Sequence, residues 1–133
     1  MDICKINGKN YDVIITSIEE SFTVLYSENT GRTLSEGGRM VLDPIGTFFS
    51  HKVTFNRSPD NAKAFDDLFD FLSKPKNDGF PVEIIHGQKS MRYDAYVSSG
   101  ARALKRISKD RTKAFWGEIS VTFIPMEAQV LPE

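Results

Sequence analysis

Apolar and polar residues alternate with a period of two along most of this chain, and a helical period appears only once. The clearest alternating run is the last. Phe115, Gly117, Ile119, Val121 and Phe123 take turns with Trp116, Glu118, Ser120, Thr122 and Ile124. Side chains two apart share one face of a pleated strand, so this run predicts a strand with one apolar face, ended by Pro125. Residues 47–57 behave alike. Phe49, His51, Val53 and Phe55 face one way, and Phe48, Ser50, Lys52, Thr54 and Asn56 the other.

The remaining strands follow from the same period and from turn chemistry. Residues 2–6 and 11–15 flank Asn7-Gly8, whose residue types accept the positive φ angles of a tight turn, and they read as a hairpin. Residues 20–28 form a further strand with Phe22, Val24 and Tyr26 on one side. Leu25 breaks that alternation, which fits a strand covered on both faces. Asp43-Pro44 marks a strand start or an edge, because proline cannot donate to a ladder. Residues 80–86 and 91–98 read as a second hairpin around Gly87-Gln88-Lys89, while 100–107 is ambiguous between strand and helix, a third strand being favoured only by its strand neighbours. Residues 108–113 form a charged loop, and 127–133 a frayed C-terminal tail.

The helical period lies at about 59–73. Phe65, Leu68, Phe69 and Leu72 form one stripe, and Phe71 widens it. Ser58 is placed to cap the first free N–H groups, Pro59 fits the first helical position, and Asp60 suits the positive end of the dipole. Lys74-Pro75 stops the helix, since a residue before proline avoids α geometry. The expected fold is α+β and mainly β. It is a β-sandwich or open barrel of about seven to eight strands, with one amphipathic helix at about 59–73 and a long Gly-rich arm at about 29–42.

Length and composition place this in a single domain spanning 1–133, with a core of its own. One cysteine, Cys4, excludes an internal disulfide framework. No apolar run approaches the roughly 20 residues that a bilayer span needs, so no membrane partner is expected. The first residues lack a signal-peptide core, and a cytoplasmic site is the expectation.

Motifs that carry chemistry are scarce. His51 sits mid-strand and His86 near a turn, and nothing in their spacing brings them together. Asp66, Asp67 and Asp70 lie opposite the helix stripe and read as its solvated face. No glycine pattern matches a phosphate-binding loop. No catalytic residue, metal or cofactor is expected, and the protein reads as no enzyme. Charge is more informative. The chain carries 17 Lys and Arg against 18 Asp and Glu, a net charge of −1, which makes a nucleic-acid partner unlikely overall. Yet Arg102, Lys105, Arg106, Lys109, Arg111 and Lys113 face only Asp110 within 102–113, whereas Asp2, Asp12, Glu19, Glu20, Glu28 and Glu36 load the first third with acid. Such segregation fits head-to-tail association of copies, and the basic segment gives the alternative of a small nucleic-acid-binding domain.

The runs Asn29-Thr30-Gly31-Arg32-Thr33-Leu34, Gly38-Arg39-Met40 and Asp43-Pro44-Ile45-Gly46-Thr47 resemble small structural proteins of phage and prophage tails from Gram-positive bacteria. The helix end Leu72-Ser73-Lys74-Pro75 and the closing strand from Phe115-Trp116-Gly117 to Phe123-Ile124-Pro125-Met126 fit as well. The resemblance implies a non-enzymatic tail-tube-like, adaptor or baseplate component of the virion. It would assemble in the bacterial cytoplasm with copies of itself, as a ring or stack, and with other phage tail proteins. Edge strands and the 29–42 arm would make the contacts. The candidate interface residues are Arg32, Leu34, Arg39 and Met40 on the arm, and Lys105, Arg106, Lys109 and Arg111 on the basic segment.

Overall fold

The computed structural model describes residues 4–34 and 37–133. Asp2 and Ile3 of the expected first strand, and Ser35 and Glu36 of the arm, lie outside the described residues. In chain order the elements are β1 (Cys4–Ile6), β2 (Val13–Tyr26), β3 (Gly31–Arg32), β4 (Met40–Val41), β5 (Pro44–Arg57), α1 (Ala62–Ser73), β6 (Phe80–His86), β7 (Lys89–Tyr96), β8 (Gly100–Ile107) and β9 (Ala114–Pro125). Seven strands form one antiparallel sheet in the order β1-β6-β7-β9-β5-β2, with β8 also paired to β9. The sheet curls into a half-barrel, so the expectation of a mainly β fold with one helix holds. β3 and β4 pair with each other as a small ladder within the arm.

The core lies inside the curl. Val53 and Phe55 of β5, Val82 and Ile84 of β6, and Ile119, Val121 and Phe123 of β9 are buried there. They are the apolar parities that the alternation singles out. α1 lays Phe65, Leu68 and Leu72 into the same core, while Phe69 and Phe71 are half-buried at its margin. Phe80 meets Phe71 and Phe123 edge-on, joining helix, β6 and β9.

Several expectations need correction. Asn7 and Gly8 do turn the chain with φ of 52° and 74°, but a single bridge, Ile6 to Lys9, follows the turn. β1 pairs instead with β6, and residues 13–26 form one continuous strand on β5. A hairpin turn fixes only the local reversal. The long apolar partner of β2 lies across the sheet, and matching its length buries more. Leu25 does not signal cover on both faces; it is exposed, as is most of β2. The helix cap is Asn61 rather than Ser58. The Asn61 side chain accepts the Ala64 N–H at 3.0 Å, and Ser58 to Asn61 close a turn around Pro59-Asp60 one step earlier.

The 127–133 tail is tied down over part of its length. Thr47 bridges Val130, and the Gln129 amide accepts the Phe49 N–H and donates to the Phe49 carbonyl, both at 2.9 Å. A side-chain amide there replaces the ladder that β9 no longer supplies, because β9 turns to β7 at Ile124 and Pro125. Gly46 permits the approach: a Cβ there would meet Ala128 Cβ at 2.6 Å.

Candidate functional site

The two groups of candidate interface residues sit at opposite ends of the four-stranded stretch β8-β9-β5-β2. The arm joins the end of β2 to the start of β5. β5 meets β9 from His51–Phe123 to Phe55–Ile119, so residues 114–116 run past its other end at Arg57. Arg32 and Met40 face each other across the arm ladder, with the Arg32 guanidinium on the Gly38 carbonyl at 3.2 Å. The Thr33 N–H closes on the Arg39 carbonyl, and Leu34 is fully exposed beyond it. Tyr26, Val41, Leu42 and Ile45 add exposed apolar surface around the arm's base.

At the far end, β8 and the 108–113 turn carry Lys105, Arg106, Lys109 and Arg111, all exposed. The turn is braced from within. Asp110 accepts from the Ser108 hydroxyl at 2.6 Å and from the Thr112 hydroxyl at 2.8 Å. These bonds hold its carboxyl below the usual aspartate range. Arg111 adopts φ of 61°, rare for a side chain of its size. The structure removes Arg102 from the basic segment. Its guanidinium pairs with Asp66 at 2.8 Å and lies over the rings of Phe69 and Trp116, pinning α1 to β8 and β9. Arg57 and Arg106 likewise approach Phe115. Phe115 and Trp116, which follow the basic segment, are therefore covered by the chain's own cations.

A second cluster lies inside the curl. Glu20 of β2 stands opposite His51 of β5 in the ladder. One carboxylate oxygen, Oε2, is 2.8 Å from His51 Nε2 and 2.7 Å from His86 Nδ1. His51 Nδ1 lies 2.8 Å from the Tyr93 hydroxyl, and the two rings stack. His51 is fully buried, and His86 packs edge-on to Phe49. A carboxylate only accepts, so both imidazoles present N–H to Glu20, and neutral His51 then accepts the Tyr93 O–H at its other nitrogen. Burial holds the His51 pKa below the ordinary histidine value, partly offset by its bond to Glu20. Burial raises the Glu20 carboxyl, but the bonds and charges of the two imidazoles outweigh it, and the net shift is downward. Burial also raises the Tyr93 hydroxyl well above its usual range and pushes the nearby Cys4 thiol up to about 12.

Thus His51 and His86 do converge, contrary to the reading of their spacing, whereas Asp66 and Asp67 pair outward with Arg102 and Lys63. The signal for this cluster is parity: Glu20 shares the face of Phe22 and Val24, and His51 that of Val53 and Phe55. Polar groups at apolar positions of two strands need partners across the curl.

Clefts of about 220 and 340 Å³ flank the C-terminal end of α1 near Leu72 and Val97, away from Glu20 and both histidines. Among the described residues, no group of His, Cys, Asp and Glu is arranged to hold a metal ion, and no helix is long and apolar enough to cross a membrane. Compared with models of known protein families and with curated proteins, the chain matches none.

Proposed function

We propose that this protein is a structural subunit that assembles edge to edge with copies of itself, as a tail component of a phage or prophage would, and performs no bond-making chemistry. One observation carries the reading: the stretch β8-β9-β5-β2 leaves the outer edges of β8 and β2 unpaired among the described strands. Neighbours are antiparallel throughout, so the two outer strands run in opposite directions. Placing a second copy alongside in the same orientation sets its β8 antiparallel to β2 and continues the sheet. Charge favours the pairing. β2 carries Glu19 and no cation, while β8 carries Lys105 and Arg106 and no acid; Glu20 and Arg102 are engaged within the chain. The 14-residue edge carries neither lysine nor proline, the residues that most often block a new partner, although its register shifts between Ile15 and Ser17 and between Leu25 and Tyr26. Repetition of such a head-to-tail contact gives a ring or a stack.

The arm extends this surface with apolar side chains. Its Arg32 and Arg39 would not favour the equally basic 108–113 turn, so the arm would meet another tail protein or a different face of the neighbour. Sedimentation across a concentration series tests the proposal. Wild-type protein is expected to form larger species. Glu19→Lys is expected to abolish them, and pairing it with Lys105→Glu and Arg106→Glu in the same chain to restore them. A strict monomer at high concentration, with no binding to other tail proteins, would refute the reading.

A further inference from the structure

β2, one rim of the sheet, meets β6, next to the opposite rim, across the open side of the curl. β2 is the last strand in the sheet order and β6 is the second, so three strands separate them along the ladder. Across the open side of the curl, however, His86 at the end of β6 reaches Glu20 of β2 at 2.7 Å. One layer deeper, Tyr93 of β7 reaches His51 of β5, spanning β9. A single carboxylate oxygen serves as the acceptor for both imidazoles.

We propose that Glu20, His51 and His86 form a proton-operated latch that holds the rims of the half-barrel together and releases them when His51 takes up a proton. The reasoning is one of donors and acceptors. Neutral His51 satisfies both neighbours at once, donating to Glu20 from Nε2 and accepting from the Tyr93 hydroxyl at Nδ1. Protonated His51 is a donor at both nitrogens. Tyr93 must then accept, and its hydroxyl hydrogen loses the acceptor it has at Nδ1, at the cost of breaking a buried hydrogen bond. His86 differs: it is part-exposed and donates to Glu20 in either protonation state. The groups facing His51 are Glu20 from β2, His86 and the Ile85 backbone from β6, and Tyr93 from β7, with Cys4 of β1 near Tyr93; Glu20 and Ile85 favour the protonated ring, and burial outweighs them.

The sign follows from linkage. Closure excludes a proton that open His51 would bind, so closure is fully favoured above the ordinary histidine value near 6.5 and weakens as pH falls below it. Glu20, whose carboxyl is also shifted down, adds a second loss in the same direction below its ordinary value of 4.5. The latch does not depend on the assembly reading, because rim opening is measured on the monomer.

Amide hydrogen exchange, corrected for the intrinsic pH dependence of exchange, reads the opening directly. Protection factors in β2 and in β6 near His86 are expected to fall by up to about tenfold per pH unit below pH 6.5, while those at the centre of β9 hold. Imidazole proton shifts measured over the same range should show His51 titrating below the ordinary histidine value. His51→Gln, which can still donate to Glu20 but takes up no proton, is expected to flatten the step above pH 4.5. If that variant fails to fold, the wild-type titration and exchange profile decide alone. Flat protection in β2 and β6, an ordinary His51 midpoint, or an equal fall across β9 would each overturn the latch.

Discussion

β9 and β2 are both long and rich in apolar residues, yet they behave as opposites. β9 buries Ile119, Val121 and Phe123 and is paired on both sides, whereas β2 buries no residue fully and is paired on one. Phe123 is 0% exposed and Phe22 is 69% exposed. The contrast shows that alternation assigns the faces of a strand but not whether anything covers them. Cover comes from place in the sheet. β9 lies within the sheet, between β5 on one side and β7 and β8 on the other, and β2 forms a rim.

Truncations on the two strands should separate most clearly. Phe123→Ala is expected to cost about 3–5 kcal/mol in urea unfolding, the range for emptying an aromatic site in a packed core. A much smaller loss would mean that the curl is not closed around β9. Replacing Gln129 by Ala leaves the Phe49 N–H and carbonyl without their partner and should cost about 1–3 kcal/mol, together with faster exchange at Phe49. Arg102→Ala removes the clamp between α1 and Trp116. Since Asp66 is about half exposed, the ion pair itself contributes little, and the expected loss of about 1–2 kcal/mol comes mainly from packing over the rings. At the other extreme, Phe22→Ala on β2 should change monomer stability by no more than about 0.5 kcal/mol. A large loss there would show that the rim is covered within the monomer after all.

Stability should also depend on pH through the two strands facing each other in the curl. His51 and Glu20 are both shifted downward, so each stabilises the folded state above its ordinary value and loses that contribution as pH falls through its folded value. Thermal melts should therefore show a decline that begins below about pH 6.5 and steepens below about pH 4.5.

The expectations that held share a cause. The strand at 80–86, the hairpin it begins and the stop at Lys74-Pro75 rest on interactions within a few residues, whereas the ambiguous 100–107 becomes a strand by pairing with β9. The readings that changed involve distant partners. Whether residues 2–6 pair with 11–15 or with β6 depends on what lies across the sheet. The helix cap shifted by three positions because Ser58 and Asn61 are both able to cap, and a turn around Pro59 favours the second. Glu20 was legible only as an acid at an apolar parity, and its two histidine partners lie 31 and 66 positions away.

By itself, the order of residues determined that this chain makes strands with one apolar face, a single amphipathic helix with a proline stop, and a cationic segment near its end. Those outcomes follow from backbone periods and from turn and cap chemistry, which act over one or two turns of chain. Packing of the whole sheet settled which strands became rims, which cations cover the chain's own aromatic rings, and that one carboxylate joins two histidines. Those choices depend on burying the most apolar surface while leaving no polar group inside without a partner, and that balance is struck over the whole sheet at once.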